Sequence, residues 1–173
     1  MGKRTLESSK LFHNTGYPKP IFPPIIVGYQ IKTPENMGNI IRLADNTGCQ
    51  QILFVTSMEN IRMSKVKKTA SSSYESVNFQ FCKPETFETI IPPGYQWVAV
   101  ETSSDSKNIF QTRLPKKIVL FVGNEVSGIS HSVLDKCSKI VHIPMLGNNS
   151  SLNVSHALAV ALFEWQRQLI YYA

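Results

Sequence analysis

Four polar side chains stand where they could act on a ligand: Arg42, Glu125, Ser151 and Asn153. Arg42 lies in a segment whose Met37, Ile40, Ile41 and Ala44 recur at i, i+3, i+4 and i+7, the apolar stripe of a helix that faces a sheet. Five residues on from Met37 is about 140° round such a helix, so Arg42 points away from the stripe. A guanidinium there is a permanent positive charge with five N–H donors. It is either solvated on the surface or placed to hold an anionic oxygen. Glu125 sits in FVGNEVSGIS, Phe121 to Ser130, between Gly123 and Gly128. A carboxylate beside a glycine turn can accept hydrogen bonds from a ligand or hold an arginine. Ser151 and Asn153 lie in SSLNVS, just ahead of a strongly apolar run. Their short side chains can bind polar atoms of a ligand or cap the helix that follows.

Several chemistries are disfavoured. The glycine turn has neither the GKS/GKT ending of a phosphate-binding loop nor GxGxxG spacing, which argues against ATP hydrolysis and an ordinary dinucleotide site. His142 falls inside an apolar strand and reads as a packed core residue, and His156, at a helix start, is set aside. Cys49, Cys82 and Cys137 are odd in number, far apart and without CxxC spacing. Neither a disulfide framework nor a zinc site follows, no metal is expected, and a reducing cytoplasm is the natural setting.

The elements that must position these residues alternate along the chain. Strands are expected at Ile25–Gln30, Gln51–Thr56, Val77–Phe81, Gln96–Glu101, Ile118–Val122 and Lys139–Ile143. Helices are expected from Thr33-Pro34-Glu35 to Gly48, at Ile61–Ala70, Glu85–Ile91 and Ser130–Lys136, and finally at Leu152–Tyr171. This pattern implies an α/β fold, a mostly parallel sheet with helices on both faces. The last strand ends in Pro144, opens into a loop of Gly147, Asn148, Asn149, Ser150 and Ser151, and feeds the terminal helix. α/β proteins build ligand sites at such carboxyl ends of strands.

The totals are consistent with this. The chain of 173 residues, 42% apolar and 17% charged, suits one domain, here residues 25–173, preceded by a basic, proline-rich arm over residues 1–24. Net charge of +6 favours an anionic partner such as nucleic acid. Arg62, Lys65, Lys67 and Lys68 cluster on the second helix, where they would contact phosphates. No apolar run reaches the roughly 18 residues of a membrane span, and no signal-type segment is expected at the start.

Three stretches carry a family resemblance. IPMLG…SLNVSHALAV resembles the third signature of the SpoU/TrmH family in the SPOUT superfamily of RNA methyltransferases. NMGNIIRLADNTG, Asn36 to Gly48, and FVGNEVSGIS match its other two, in order. The resemblance implies a SPOUT fold with a deep C-terminal trefoil knot, although knots are rare in general. It implies 2′-O-methylation of a ribose in RNA by S-adenosylmethionine, in a homodimer where Arg42 serves the neighbouring subunit's cofactor. The residues it assigns to catalysis are Arg42, Asn36, Glu125, Ser151 and Asn153, with Asn36 orienting Arg42 or the target phosphate. It assigns the cofactor pocket to Val100, Glu101, Gly123, Ile143, Met145, Ser151 and Leu152. A 2′-hydroxyl is present in RNA and absent from DNA. The first signature resembles the branch acting on the tRNA wobble position, and the third the branch acting on the D-loop guanosine. The expected substrate is therefore tRNA, with ribosomal RNA as the alternative and a non-catalytic RNA-binding homologue as the reading from another class.

Overall fold

Ile25-Ile26-Val27 and Ile118-Val119-Leu120-Phe121-Val122 are apolar at every successive position, as strands buried on both faces must be. In a computed structural model of the chain, which describes residues 19–171, these two runs pair in parallel at the centre of a seven-stranded sheet. The strands are β1 (Ile25–Tyr29), β2 (Gln51–Val55), β3 (Phe79–Cys82), β4 (Gln96–Val100), β5 (Lys107–Asn108), β6 (Ile118–Gly123) and β7 (Lys139–His142). Their order is β3-β2-β1-β6-β4-β7-β5, with every neighbouring pair parallel.

Alternate side chains feed two cores. On one face Ile26, Val98, Leu120 and Val122 pack under α1 (Pro34–Thr47), α2 (Met63–Ala70) and α5 (Val154–Tyr171). On the other, Ile25, Val27, Val119 and Phe121 meet Phe87 and Val133. That second face is covered more thinly, by the short helix α4 (His131–Leu134) and a 3₁₀ turn, Phe87–Ile90. A short α3 (Ser73–Ser76) and a second 3₁₀ turn, Ile109–Gln111, complete the described elements.

The expected elements are present, with shifted ends. Met37, Ile40, Ile41 and Ala44 of α1 are fully buried, and Gly48 ends that helix in the left-handed conformation. Thr33 occupies the N-cap position, but its side chain makes no capping bond. The segment Glu85–Ile91 forms only the 3₁₀ turn, because Pro92 and Pro93 follow at once and cannot extend a helix. α2 starts at Met63 rather than Ile61, and α5 at Val154 rather than Leu152. β5 was not expected: two polar residues are a strand only because β7 pairs with them.

α5 docks on the segment joining β5 to β6. Trp165, 1% exposed, donates its indole N–H to the Pro115 carbonyl at 2.9 Å, and Gln168 bonds Leu114 N (2.8 Å) and Thr112 O (3.0 Å). One side of α5 stays open, with Phe163 and Ile170 about half exposed. Most of the expected basic arm lies outside the described residues. Its last part is held at the amino end of the sheet, where Tyr95 donates to Pro23 O and Gln50 N to Pro24 O, both at 3.0 Å.

Candidate cofactor pocket and active site

At the carboxyl ends of β4, β6 and β7 the chain opens three loops around one cleft. All seven residues expected in the cofactor pocket line it: Val100 and Glu101 after β4, Gly123 at the end of β6, and Ile143, Met145, Ser151 and Leu152 after β7. Glu125 lines it as well.

The turn after β6 is shaped by close packing. A Cβ on Gly123 would lie 2.5 Å from the Gly128 carbonyl carbon, so the two limbs of the turn can cross only without one. Gly128 has φ +64°, and a Cβ there would meet Glu101 Oε2 at 2.6 Å. Glu101 binds the neighbouring loop through that oxygen, which accepts Ile129 N at 3.1 Å, while Oε1 accepts Thr102 N at 2.9 Å. Its carboxylate therefore joins two walls of the cleft.

Asn124 is a cleft-lining residue that the sequence analysis did not single out. It is 5% exposed and lines the cleft. Its Oδ1 accepts Val126 N (2.8 Å) and Ser127 N (3.0 Å), and its Nδ2 donates to the Gln30 carbonyl (2.8 Å). This side-chain turn aims Glu125 at the cleft and ties it to the end of β1. An Asn at the start of a polar turn is a known signal for such bonding, so it could have been found.

Three of the five expected catalytic residues are joined by hydrogen bonds. Asn36, in the first turn of α1 and 6% exposed, donates through Nδ2 to Glu125 Oε1. Asn153 donates through Nδ2 to Asn36 Oδ1 at 3.0 Å. The Oδ1 of Asn153 also accepts Ser155 N at 2.9 Å and Ser155 Oγ at 2.7 Å, which caps α5. Capping and site-building, the two readings of Asn153, are thus both satisfied. Ser151 lies exposed at the cleft wall.

Arg42 stands apart. It is exposed, does not line the cleft, and its guanidinium makes no hydrogen bond or ion pair among the described residues. Asn36 spends its amide on Glu125 and Asn153 rather than on Arg42. The helix geometry explains this: six residues on is about 9 Å along the axis and roughly 120° away round it.

His142 corrects an expectation. It is half-buried at the cleft rather than packed in the core, because β7 meets only the two-residue edge strand β5 at this level. Ser106 Oγ donates to Ser103 O at 2.6 Å, so the 2.9 Å contact between Ser106 Oγ and His142 Nδ1 has the imidazole N–H as donor.

The basic cluster on α2 is partly neutralised. Lys65 pairs with Glu35 at 3.0 Å and Lys67 with Glu75 at 2.9 Å, while Arg62 and Lys68 form no such pair among the described residues. Among the described residues no group of three His, Cys, Asp or Glu could hold a metal ion, and no helix is long and apolar enough to cross a membrane. All three cysteines are free thiols, and burial pushes Cys49 and Cys137 up to about 12 and Cys82 to about 11.

The sequence profile of the SpoU rRNA Methylase family matches residues 23–163. The chain belongs to that family. Among its relatives, the 23S rRNA (guanosine-2′-O-)-methyltransferase RlmB of Blochmanniella floridana is 34% identical over 167 residues, covering 96% of this chain and 66% of the relative. The AdoMet-bound rRNA methyltransferase of Sinorhizobium meliloti superposes with a TM-score of 0.78 at 25% identity, over 88% of this chain and 59% of that one. A structure concerned with 2-OH methylation of C/U34 on tRNA gives 0.75 at 26% identity, over 86% of this chain and 97% of that one. The chain thus spans under two thirds of the S. meliloti chain and about two thirds of the Blochmanniella protein, but nearly all of the tRNA-related one.

Proposed function

We propose that this chain transfers a methyl group from S-adenosylmethionine to the 2′-hydroxyl of a ribose in RNA. The cleft carries the reading, because every residue expected to bind the cofactor lines it and Glu125 accepts a bond from Asn36, which in turn accepts one from Asn153. The lining suits the cofactor. Val100, Ile143, Met145 and Leu152 offer apolar walls for an adenine ring and a methionine stem. Strand-end backbone offers hydrogen bonds, and the Glu125 carboxylate offers negative charge to a cationic donor. When bound, S-adenosylmethionine supplies an electrophilic methyl on a sulfur that becomes neutral as the methyl leaves.

Arg42 acts on the nucleophile. A guanidinium stays protonated and cannot take the hydroxyl proton. Arg42 therefore clamps the target phosphate and stabilises the forming alkoxide, while the proton leaves through that phosphate or through water. Such alignment supplies several kcal/mol. That Arg42 does not line its own cleft supports a homodimer in which it serves the partner's cleft, and the open Phe163/Ile170 side of α5 supports pairing through that helix.

The contacts of Trp165 and Gln168 with residues 112–115 support a C-terminal trefoil knot, since α5 is seated on the loop such a knot would thread. The catalytic domain is residues 25–173, with residues 1–24 as a basic arm. The substrate read first is tRNA, supported by the close match in length to the tRNA-related structure. A second reading, ribosomal RNA, is favoured by the name of the Blochmanniella relative. RNA as substrate and three free thiols support a cytoplasmic setting.

Tritiated methyl transfer to bulk tRNA and bulk rRNA, followed by nuclease mapping, tests the reading. Label in a 2′-O-methyl nucleotide is expected, and no transfer to either pool overturns it. Arg42→Ala and Arg42→Lys, followed across a pH series, test the clamp. Turnover is expected to fall in both, and unchanged turnover in the alanine variant removes Arg42 from the reaction.

A further inference from the structure

One ring nitrogen at the cleft has a fixed polarity and no partner. Ser106 Oγ has a single proton, which it donates to the Ser103 carbonyl at 2.6 Å. Its two lone pairs face Ser103 N at 3.2 Å and His142 Nδ1 at 2.9 Å. The hydroxyl is thus fully used, and the proton between it and the imidazole belongs to Nδ1. In the neutral ring Nε2 is then a hydrogen-bond acceptor. His142 is half-buried and lines the cleft, and nothing among the described residues donates to Nε2. An acceptor held in one tautomer at a cleft wall selects for an N–H donor, because leaving it unpaired under a bound ligand is unfavourable.

We propose that His142 Nε2 accepts a hydrogen bond from the exocyclic amino group of the cofactor's adenine, and so makes the cleft select an adenosyl ligand over its deaminated form. This rests on the S-adenosylmethionine reading of the cleft. The cleft has two chemically different ends. Glu125 follows β6, His142 ends β7, and β4 lies between those strands. At the level of the sheet the two ends are two strand spacings, about 10 Å, apart. The Glu125 end carries negative charge and suits the sulfonium. The His142 end is bounded by Val100 and Ile143, which line the cleft and pack on the same core, with Val100 in register with Val141 of β7. Such walls cover a flat ring whose edge carries the amino group. The cofactor's other N–H donor, the α-ammonium, is a cation that calls for a carboxylate rather than a neutral imidazole between apolar walls. Ser106 is a positioning residue: it holds the tautomer and touches no ligand itself.

Calorimetric titration with S-adenosylhomocysteine and with S-inosylhomocysteine tests this without any methyl transfer. The inosyl ligand presents a carbonyl where adenine presents its amino group, so two acceptors would face each other. The wild type is expected to bind the adenosyl ligand on the order of tenfold tighter or more. In His142→Ala the adenosyl affinity should fall about tenfold and the ratio between the two ligands shrink to within about threefold. Ser106→Ala keeps the ring and frees its tautomer, so it should lose part of the ratio, and Ser106→Thr, which restores a hydroxyl, should regain it. These two variants carry the test if His142→Ala does not fold. An unchanged ratio in His142→Ala overturns the proposal, whether the two affinities hold or fall together, because another group then reads the amino group. So does a lower oligomeric state of that variant by sedimentation, which would give Nε2 to a second copy of the chain. A wild type that binds neither ligand brings down the cofactor reading itself. A wild type that binds both alike brings down the His142 contact alone.

Discussion

Asn36 donates a hydrogen bond to Glu125 across 89 residues of sequence, and the same amide accepts one from Asn153. The first turn of α1, the turn after β6 and the cap of α5 therefore share one small polar network next to the cleft. Asn36 is 6% exposed, so neither of its partners can be replaced cheaply by water.

Asn36→Ala is expected to release Glu125 and Asn153 together. A misplacement of about 1 Å in a positioned group can cost around 10²-fold, and single-turnover methyl transfer should fall on that order. Asn36→Asp sets a carboxylate against Glu125 and should be less stable than the alanine variant at neutral pH. Thermal melts of the two side by side check this. Equal melting temperatures would deny that Glu125 faces position 36.

Binding to RNA should be limited by pairs that already hold lysines. Lys65 and Lys67 are engaged by Glu35 and Glu75 at exposed sites, where solvent screening keeps an ion pair weak. Glu35→Gln with Glu75→Gln is expected to tighten RNA binding a few-fold at low salt, and Arg62→Ala with Lys68→Ala to weaken it. Filter-binding titrations over a salt series decide between these outcomes and a face that takes no part.

Glu164 sets an acid limb on stability. The two hydrogen bonds from Arg167, both 2.8 Å, hold its carboxyl below the ordinary value, helped by Gln168 at 2.7 Å. A group lowered in the folded state stabilises above its unfolded pKa, and that contribution is lost as pH falls through the lower folded one. Arg167 is 44% exposed, so screening keeps the effect small. Glu164→Gln should lower Tm by a few degrees at about pH 7, and should lose less Tm than wild type on acidification below about pH 4.5.

The thiols should be inert in the folded protein. Because burial raises all three, with Cys49 and Cys137 at about 12 and Cys82 at about 11, only a trace of thiolate exists near neutrality. Iodoacetamide at about pH 8 is expected to label none of them rapidly under native conditions, Cys82 first among the slow ones, and all three after unfolding in urea. Fast native labelling at Cys49 would contradict its burial.

The chain's short-range patterns were readable because they report local physics. The Met37/Ile40/Ile41/Ala44 stripe needs only helical periodicity, Gly48 only its tolerance of the left-handed region, and the unbroken apolar runs of β1 and β6 only burial on both faces. The cleft's lining came instead from what the family resemblance of three stretches implies, since Val100 and Glu101 lie outside all of them. What the sequence could not express was which of these residues meet. Asn153 and Asn36 are 117 positions apart, and no periodicity spans that distance. His142 looked like core because its strand is apolar, yet the sheet order puts it beside an edge strand two residues long that exists only by pairing with it. The separation of Arg42 from its own cleft is likewise a matter of where a rigid helix sits. Propensity and pattern act over a few residues, whereas sheet order and side-chain contact are settled by the packing of the whole chain.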